Sequence, residues 1–371
     1  MVTQTLTADD VATQGQHWRD LPLLDLRNWT QGNAQEKKQF ARQVIETCKS
    51  AGFFYVSGHS VTPTLLQEVY AASESFHQQS VEFKAQYHIA NSRHHRGWVP
   101  TSEVGEFEKD GHKHKVFYES FDLSYDLSRD DDRAHEGYGL VGPNIWPDLA
   151  DFKPKVSRYY DAVYALGREI LSVFECGLGM APDTLLKYVT APPSQLRLLK
   201  YFENQAPADR LNHGIDAHSD FECLTILHAT HPGLQLLSAD DHWVETPPIE
   251  NCFTILIGDC LEAWTGGDLK ATQHRVVNRG VERFSLPFFF SADYDCEVKP
   301  QAPFDTAEAR SAYPPFKAGE HLWSQTITNF PYLRELIDKG KLTVDFEITE
   351  ESPFKRLSVE ERMLLKKTAQ S

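Results

Sequence analysis

The sequence predicts an α+β chain built on an all-β sandwich or barrel, with helices before and after it. Two observations carry this expectation. After about Leu196, short β-branched and aromatic runs follow one another between turn signals. Before that point, three stretches carry apolar residues at helical spacing.

Leu21 to Leu26 (LPLLDL) predicts a short opening strand. From Asn33 to Ser50 the apolar residues Phe40, Val44, Ile45 and Cys48 mark one helical face, and the pattern stops just before Ala51-Gly52. Phe53 to Val56 is β-rich and ends at Ser57-Gly58. A second helix opens at Thr62-Pro63 and runs through Phe76 and His77. A third covers Lys153 to Gly177, with Tyr160, Val163, Leu166, Ile170 and Val173 on one stripe. The β texture then reads Arg197 to Phe202, Leu224 to His228, Leu234 to Leu237, Trp243 to Thr246, Phe253 to Ile257, Gln273 to Val277 and Phe284 to Phe290. Gly258-Asp259 and Gly266-Gly267 punctuate it, the first as a tight turn freed by Gly and capped by Asp.

At 371 residues and 41% hydrophobic content, the chain can enclose a sizeable core. Its net charge of −16 disfavours nucleic acid and anionic membrane surfaces, both of which reward a basic face. No apolar run approaches the ~18 residues that cross a bilayer. The start, MVTQTLTADD, lacks a basic segment followed by an apolar one, so no secretory leader is expected. The six cysteines are scattered without a CxxC pair. Free thiols in a reducing, cytoplasmic setting are the expectation.

Among 16 histidines, only His218 is followed two positions later by a carboxylate, Asp220. At the end of a strand, period-two geometry would put both side chains on one face. A second histidine, His274, enters 56 residues later on a strand-like run. Two histidines and one carboxylate leave metal positions open, as in non-haem Fe(II) oxygenases, although zinc accepts the same set. Arg283 and Ser285 form a further period-two pair on a wall with Pro287 and Phe289. A guanidinium fork beside a hydroxyl suits capture of a small carboxylate, such as the distal end of 2-oxoglutarate.

The strings AHSDFECLTIL, GLQLL, WVETPP, ILIGDCLEAWTGG, HRVVN and RFSLPFF, in that order, resemble the isopenicillin N synthase-like family of Fe(II)/2-oxoglutarate-dependent oxygenases. LPLLDL, CKSAGFFYVSG, RGWVP and YESFDL extend the resemblance over roughly residues 20 to 335. It implies a double-stranded β-helix, or jelly-roll, core flanked by helices. It implies iron on His218, Asp220 and His274, the cosubstrate carboxylate on Arg283 and Ser285, and Tyr201 beside them. Where many relatives have asparagine two positions before that tyrosine, this chain has Leu199, with Lys200 and Phe202 as further departures. The implied organisation is one structural unit: a tail over 1–19, a helical and stranded region over 20–125, a connecting helical region over 126–195, the jelly-roll core over 196–292 and a helical region over 293–371. The implied reaction consumes O2 and 2-oxoglutarate, releases succinate and CO2, and hydroxylates, desaturates or cyclises a small molecule, a natural product or amino-acid derivative of secondary metabolism.

Trp98, Tyr118 and Phe289 are candidate pocket walls, against packing as the plainer reading. Arg93-His-His-Arg96 reads as a solvated loop or, alternatively, a substrate-facing one. His112 and His114 read as surface residues, Asp216 and His213 as groups that support the ligands or the structure near the ligand strand, and Cys223 and Cys260 as packed thiols. The pocket is expected from variable loops and C-terminal helices around Glu320 to Lys339. The rival readings are an iron oxidase that cyclises a peptide without a keto-acid and a non-catalytic small-molecule-binding jelly roll.

Overall fold

The computed structural model describes residues 21–103, 106–109, 112–115, 117–134, 137, 139–203, 213–238, 241–277, 279–349, 352–354 and 356. The expected tail over 1–19 lies outside them. In chain order the strands are β1 (Leu23–Asp25), β2 (Phe53–Ser57), β3 (Gly97–Val99), β4 (Glu106–Lys109), β5 (His112–Lys115), β6 (Tyr118–Ser124), β7 (Gln195–Tyr201), β8 (His213–His218), β9 (Leu224–Ala229), β10 (Leu234–Leu237), β11 (Trp243–Glu245), β12 (Phe253–Ile257), β13 (His274–Val277), β14 (Arg283–Phe290), β15 (Glu297–Val298) and β16 (Phe316–Lys317).

A large sheet runs β1-β2-β12-β9-β14-β7-β6-β3, antiparallel except for β1 with β2. A smaller antiparallel sheet runs β11-β10-β13-β8. Alternation along the strands divides the core. Phe54, Phe121, Leu196, Leu198, Ile226, Ile255, Leu286, Phe288 and Phe290 point into one buried cluster shared with the helices. Their neighbours Phe53, Tyr55, Tyr118, Leu199, Tyr201, Leu227 and Leu256 face the other way, onto Leu234, Leu236 and Val276 of the small sheet. Side chains of opposite parity on one strand thus serve opposite layers. The space between the sheets is where the site lies.

The helical layer forms as its sequence dictates. The Ala34–Ala51 helix starts with Asn33 accepting from the backbone of Gln35 and Glu36 while Glu36 reaches back, and it stops at Gly52, at φ +84. The Pro63–His77 helix is capped by Thr62, with proline in its first turn. Both pack on the Phe152–Gly177 helix, whose Gly167 lets Phe290 approach; a Cβ there would lie 2.4 Å from that ring. Two further helices, Ala318–Asn329 and Pro331–Asp338, follow the core. Among the described residues no helix is long and apolar enough to cross a membrane.

Two expectations need correction. Gly258-Asp259 is not a free-standing turn: Asp259 begins the Asp259–Trp264 helix and Gly258 has an ordinary φ of −101. Glycine is required there for space, since a Cβ would lie 2.2 Å from the Glu222 carbonyl oxygen. Nor is Arg93-His-His-Arg96 a solvated loop throughout: Arg93 is exposed and His94 half-buried, but the last two residues are buried. Arg96 is buried and donates to the carbonyls of His94, His95 and Leu140. His95 is buried at φ +58, its Nδ1 2.7 Å from the Tyr332 hydroxyl. The side chains of His112, His114 and His213 lie outside the described residues.

Candidate metal and cosubstrate site

His218 ends β8 and His274 opens β13, and the two are cross-strand partners. Their ring centroids are 4.2 Å apart. Asp220 lies two residues past the strand, so loop geometry rather than strand parity brings it in. Its carboxylate Oδ1 is 3.6 Å from Nε2 of His218 and 3.6 Å from Nε2 of His274. The three ligand atoms lie within 4.8 Å of one another, the only such His/Cys/Asp/Glu group of three or more among the described residues.

The surroundings leave the right atoms free. His218 Nδ1 donates to the Asp216 carbonyl at 2.7 Å and His274 Nδ1 to the Thr272 carbonyl at 3.0 Å. Each ring therefore carries its proton on Nδ1 and turns an Nε2 lone pair towards Asp220. The Thr225 hydroxyl donates to Asp220 Oδ2, leaving Oδ1 for a metal. Burial opposes ionisation of Asp220, but His274, His218 and Thr225 hold its carboxyl at about 2. Burial would lower the His218 pKa, yet Asp220 raises it, while burial drives His274 down to about 4. Two imidazole Nε2 atoms and an anionic oxygen converging on one point fit a divalent cation.

The loop holding Asp220 hangs on the start of the Asp259–Trp264 helix. Backbone N–H groups of Gly258, Asp259 and Cys260 donate to the carbonyls of Cys223, Asp220 and Glu222 at 3.0, 2.9 and 3.1 Å. Donors that a helix start leaves unpaired thereby fix the metal loop. Glu222 is itself buried, and burial together with the Asp220 charge pushes its carboxyl up to about 8.

Arg283 and Ser285, both buried, occupy successive metal-side positions of β14. Arg283 Nε donates to the His231 carbonyl at 2.9 Å, and its guanidinium carbon lies 4.8 Å from the Tyr201 ring centroid. Its Nη1 is buried without a partner. Arg283 also lines a small cavity with Leu227, Ala229, Leu234, Cys252 and Thr254. A buried, unpaired guanidinium nitrogen on a cavity wall is costly, and an anionic oxygen would satisfy it. Leu199 is buried opposite Ser285 and contributes no polar group, and Lys200 pairs instead with Glu282 at 3.0 Å.

Tyr118 shares this face, its ring 5.6 Å from Tyr201. Phe289 is half-buried there beside Arg197, whereas Phe288 and Phe290 are core. Trp98 is not with them. It is paired in register with Phe121 on the helix-facing side, and its Nε1 donates to Glu119 at 2.7 Å. Buried in the helix-side cluster, it does not wall the metal-side face. Cys223 and Cys260 are buried; burial pushes the Cys223 thiol up, as does the Cys223 neighbour followed by burial for Cys260.

Sequence reasoning missed Thr225 and the buried Arg197–Asp122 pair. Arg197 Nε lies 3.1 and 3.0 Å from the Asp122 oxygens, with Nη2 at 2.9 Å. Period-two counting from Tyr201 and Tyr118 would have placed both on the metal-side face.

Residues 21–149 match the family model for the non-haem dioxygenase in morphine synthesis N-terminal region, and residues 193–292 match that for the 2OG-Fe(II) oxygenase superfamily. The chain is 32% identical over 304 residues to the 2-oxoglutarate-dependent dioxygenase traH of Penicillium crustosum, covering 78% of this chain and 89% of that one. It is 31% identical over 300 residues to the 2-oxoglutarate-dependent dioxygenase caaD of Aspergillus niger, covering 78% and 89%. Among solved structures, a 2OG-Fe(II) oxygenase family protein from Caulobacter crescentus superposes with TM-score 0.72 at 28% identity, over 82% of this chain and 98% of that one. Neurospora crassa T7H, solved with alpha-KG, shares the fold at TM-score 0.70 and 22% identity, over 82% and 95%. The chain belongs to the 2OG-Fe(II) oxygenase superfamily, with a double-stranded β-helix core. It is a 2-oxoglutarate-dependent dioxygenase using Fe(II), 2-oxoglutarate and O2.

Proposed function

We propose that His218, Asp220 and His274 hold the Fe(II), and that Arg283 and Ser285, with Tyr201 beside them, hold the distal carboxylate of 2-oxoglutarate. The observation that carries this reading is the buried, unpartnered Nη1 of Arg283, two residues from Ser285 on the same strand face and beside the Tyr201 ring. Within the superfamily the chain belongs with the isopenicillin N synthase-like members, and the ordered run from AHSDF to RFSLPFF supports that placement. The described residues between 21 and 356 act as one structural unit, in the cytoplasm.

When bound, iron, 2-oxoglutarate and O2 would supply the oxidising chemistry, one oxygen atom of O2 ending in succinate as CO2 is released and the other in the hydroxylated substrate. The chain's own residues bind, orient and exclude water. Thr225 orients the Asp220 carboxylate, the carbonyls of Asp216 and Thr272 fix the imidazole tautomers, and Arg283 sets the cosubstrate's far end. Phe289 and Tyr118 wall the substrate against the metal face, so that the target C–H bond is held in one orientation. The substrate class proposed is a natural product or amino-acid-derived compound of secondary metabolism; a relative 31% identical over 297 residues is named clavatol oxidase, of Penicillium crustosum. The charge of −16 argues against nucleic acid or an anionic membrane.

The test is an anaerobic titration of the purified chain with Fe(II) and 2-oxoglutarate, followed by a substrate screen for succinate release. A weak visible charge-transfer band that is lost in Arg283→Gln is expected, with succinate formed in step with product. Absence of the band in the wild-type chain would remove the cosubstrate assignment; product without succinate would point to the keto-acid-independent oxidase.

A further inference from the structure

A short C-terminal segment is fastened to both halves of the metal site from behind. At one end, Thr349 is tied to the Ala318–Asn329 helix: its N–H donates to Ser324 Oγ at 2.8 Å, and Gln325 Nε2 donates to its hydroxyl at 2.8 Å and its carbonyl at 3.1 Å. Ser352 then donates to Asp259 Oδ2 at 3.0 Å, an oxygen that also accepts from His321 Nε2 at 3.0 Å. Asp259 is fully buried, and its own N–H holds the Asp220 carbonyl at 2.9 Å. Two residues further on, the Phe354 carbonyl accepts from Gln273 Nε2 at 3.2 Å, and Gln273 is the residue before His274. Arg356 Nη2 donates to the Ala271 carbonyl at 3.1 Å. The Phe354 ring is buried against Tyr313, Phe316 and His321.

These bonds form two arms from one strap. One runs from Ser352 and His321 through Asp259 to Asp220; the other runs from Phe354 and Arg356 to the segment that delivers His274. The two ligand segments belong to different parts of the chain and are paired along β8 and β13, at His218 with His274 and at Ile215 with Val276; the strap adds a second tie, at the ends that carry Asp220 and Gln273. A tie that spans both fixes their separation. We propose that the strap residues Thr349, Ser352, Phe354 and Arg356 form a positioning element of the metal site, with Ser352 and His321 acting through Asp259 and Phe354 through Gln273. This rests on the metal assignment proposed above. Side chains behind a metal ligand typically alter metal affinity by about 10–100-fold when removed, because they fix ligand orientation in advance of binding.

The test uses the full chain, freed of metal, titrated anaerobically with Co(II) and read by its visible ligand-field bands. Thermal unfolding of the metal-free chain is measured alongside. Ser352→Ala and His321→Ala are expected to bind Co(II) about 10-fold more weakly, with metal-free unfolding temperatures close to wild type. His321→Gln, whose amide can replace the Nε2 donor, is expected to restore affinity, as is Ser352→Thr. Wild-type affinity in both alanine variants, with binding abolished in His218→Ala, would overturn the strap's role and leave the metal assignment standing. Loss of affinity matched by an equal loss in unfolding temperature, without rescue by glutamine or threonine, would also overturn it. A wild-type chain without His218-dependent bands would overturn both.

Discussion

Arg283 and Tyr201 face each other across β14 and β7, the guanidinium carbon 4.8 Å from the phenol ring centroid. The ring holds the cation by its face while the His231 carbonyl takes Nε, so the fork is aimed before any ligand arrives. Burial would raise the Tyr201 pKa, and it does so despite the opposing charge of Arg283. The pair is thus a neutral phenol beside a permanent cation, a fitting receiver for a carboxylate.

Replacing Arg283 by lysine keeps the charge and loses the fork. A hydrogen bond to a charged group contributes about 1.5–3 kcal/mol, so 2-oxoglutarate should bind roughly 10- to 100-fold more weakly. Metal affinity should not change, because Arg283 is bonded to neither ligand loop. Anaerobic titrations with Co(II) alone, then with 2-oxoglutarate, separate the two quantities. Equal weakening of both would contradict the assignment.

Thr225 offers a second separation. Its hydroxyl is the donor to the Asp220 oxygen that faces away from the histidines. Thr225→Val preserves shape and removes that donor, leaving a buried carboxylate oxygen unpaired. Metal affinity should fall about 10-fold or more, and Thr225→Ser should recover most of it. Isothermal titration of the metal-free variants gives the comparison; a valine variant that binds metal normally would show that Asp220 is oriented by the loop alone.

Much of this architecture was readable because the large sheet is buried on both sides with strict alternation. Phe288 and Phe290 went to the helices and Phe289 to the metal side, as period two requires. His218, His274, Arg283 and Ser285 stand on strands, so counting could bring them together. Asp220 and Thr225 met through a loop whose shape is set by the Asp259–Trp264 helix, a contact between segments far apart in sequence. Trp98 misled because a three-residue strand gives no parity to count. Arg96 misled because charge in a sequence suggests solvent, while carbonyls that could receive a buried guanidinium are invisible there.

Gly258→Ala probes that helix-to-loop contact directly. The new Cβ would lie 2.2 Å from the Glu222 carbonyl oxygen and 3.2 Å from that of Asp220. Both are backbone atoms and cannot rotate aside, so the loop must shift. The expected cost is about 1–3 kcal/mol of stability, together with weakened metal binding. Denaturant unfolding and Co(II) titration of the same sample check both. A variant with wild-type metal affinity would mean that the loop can move without carrying Asp220 with it.

The clearest pH dependence lies away from the metal, at Glu119. Its carboxylate is buried on the helix-facing side of β6, 2.9 and 2.7 Å from Lys84 Nζ, 3.2 Å from His77 Nδ1 and 2.7 Å from Trp98 Nε1. Burial opposes its ionisation, but the His77 imidazole at 3.2 Å and the hydrogen bonds from Lys84 and Trp98 prevail and hold the carboxyl at about 2. A carboxyl depressed in the folded state stabilises it above the unfolded value, near 4.3, and that stabilisation is lost as pH falls towards the folded value. The window is therefore roughly pH 5 down to 2, and the amount at stake is about 3 kcal/mol. Glu119→Gln should lower stability at pH 7 by about 3–5 kcal/mol, since it leaves Lys84 buried without its counter-charge. It should also remove this group's share of the acid-side loss. Urea unfolding of both chains from pH 7 to pH 3 reads the difference, which cancels the carboxylates common to the two. Parallel acid profiles for wild type and variant would show that Glu119 is not held ionised by its three partners.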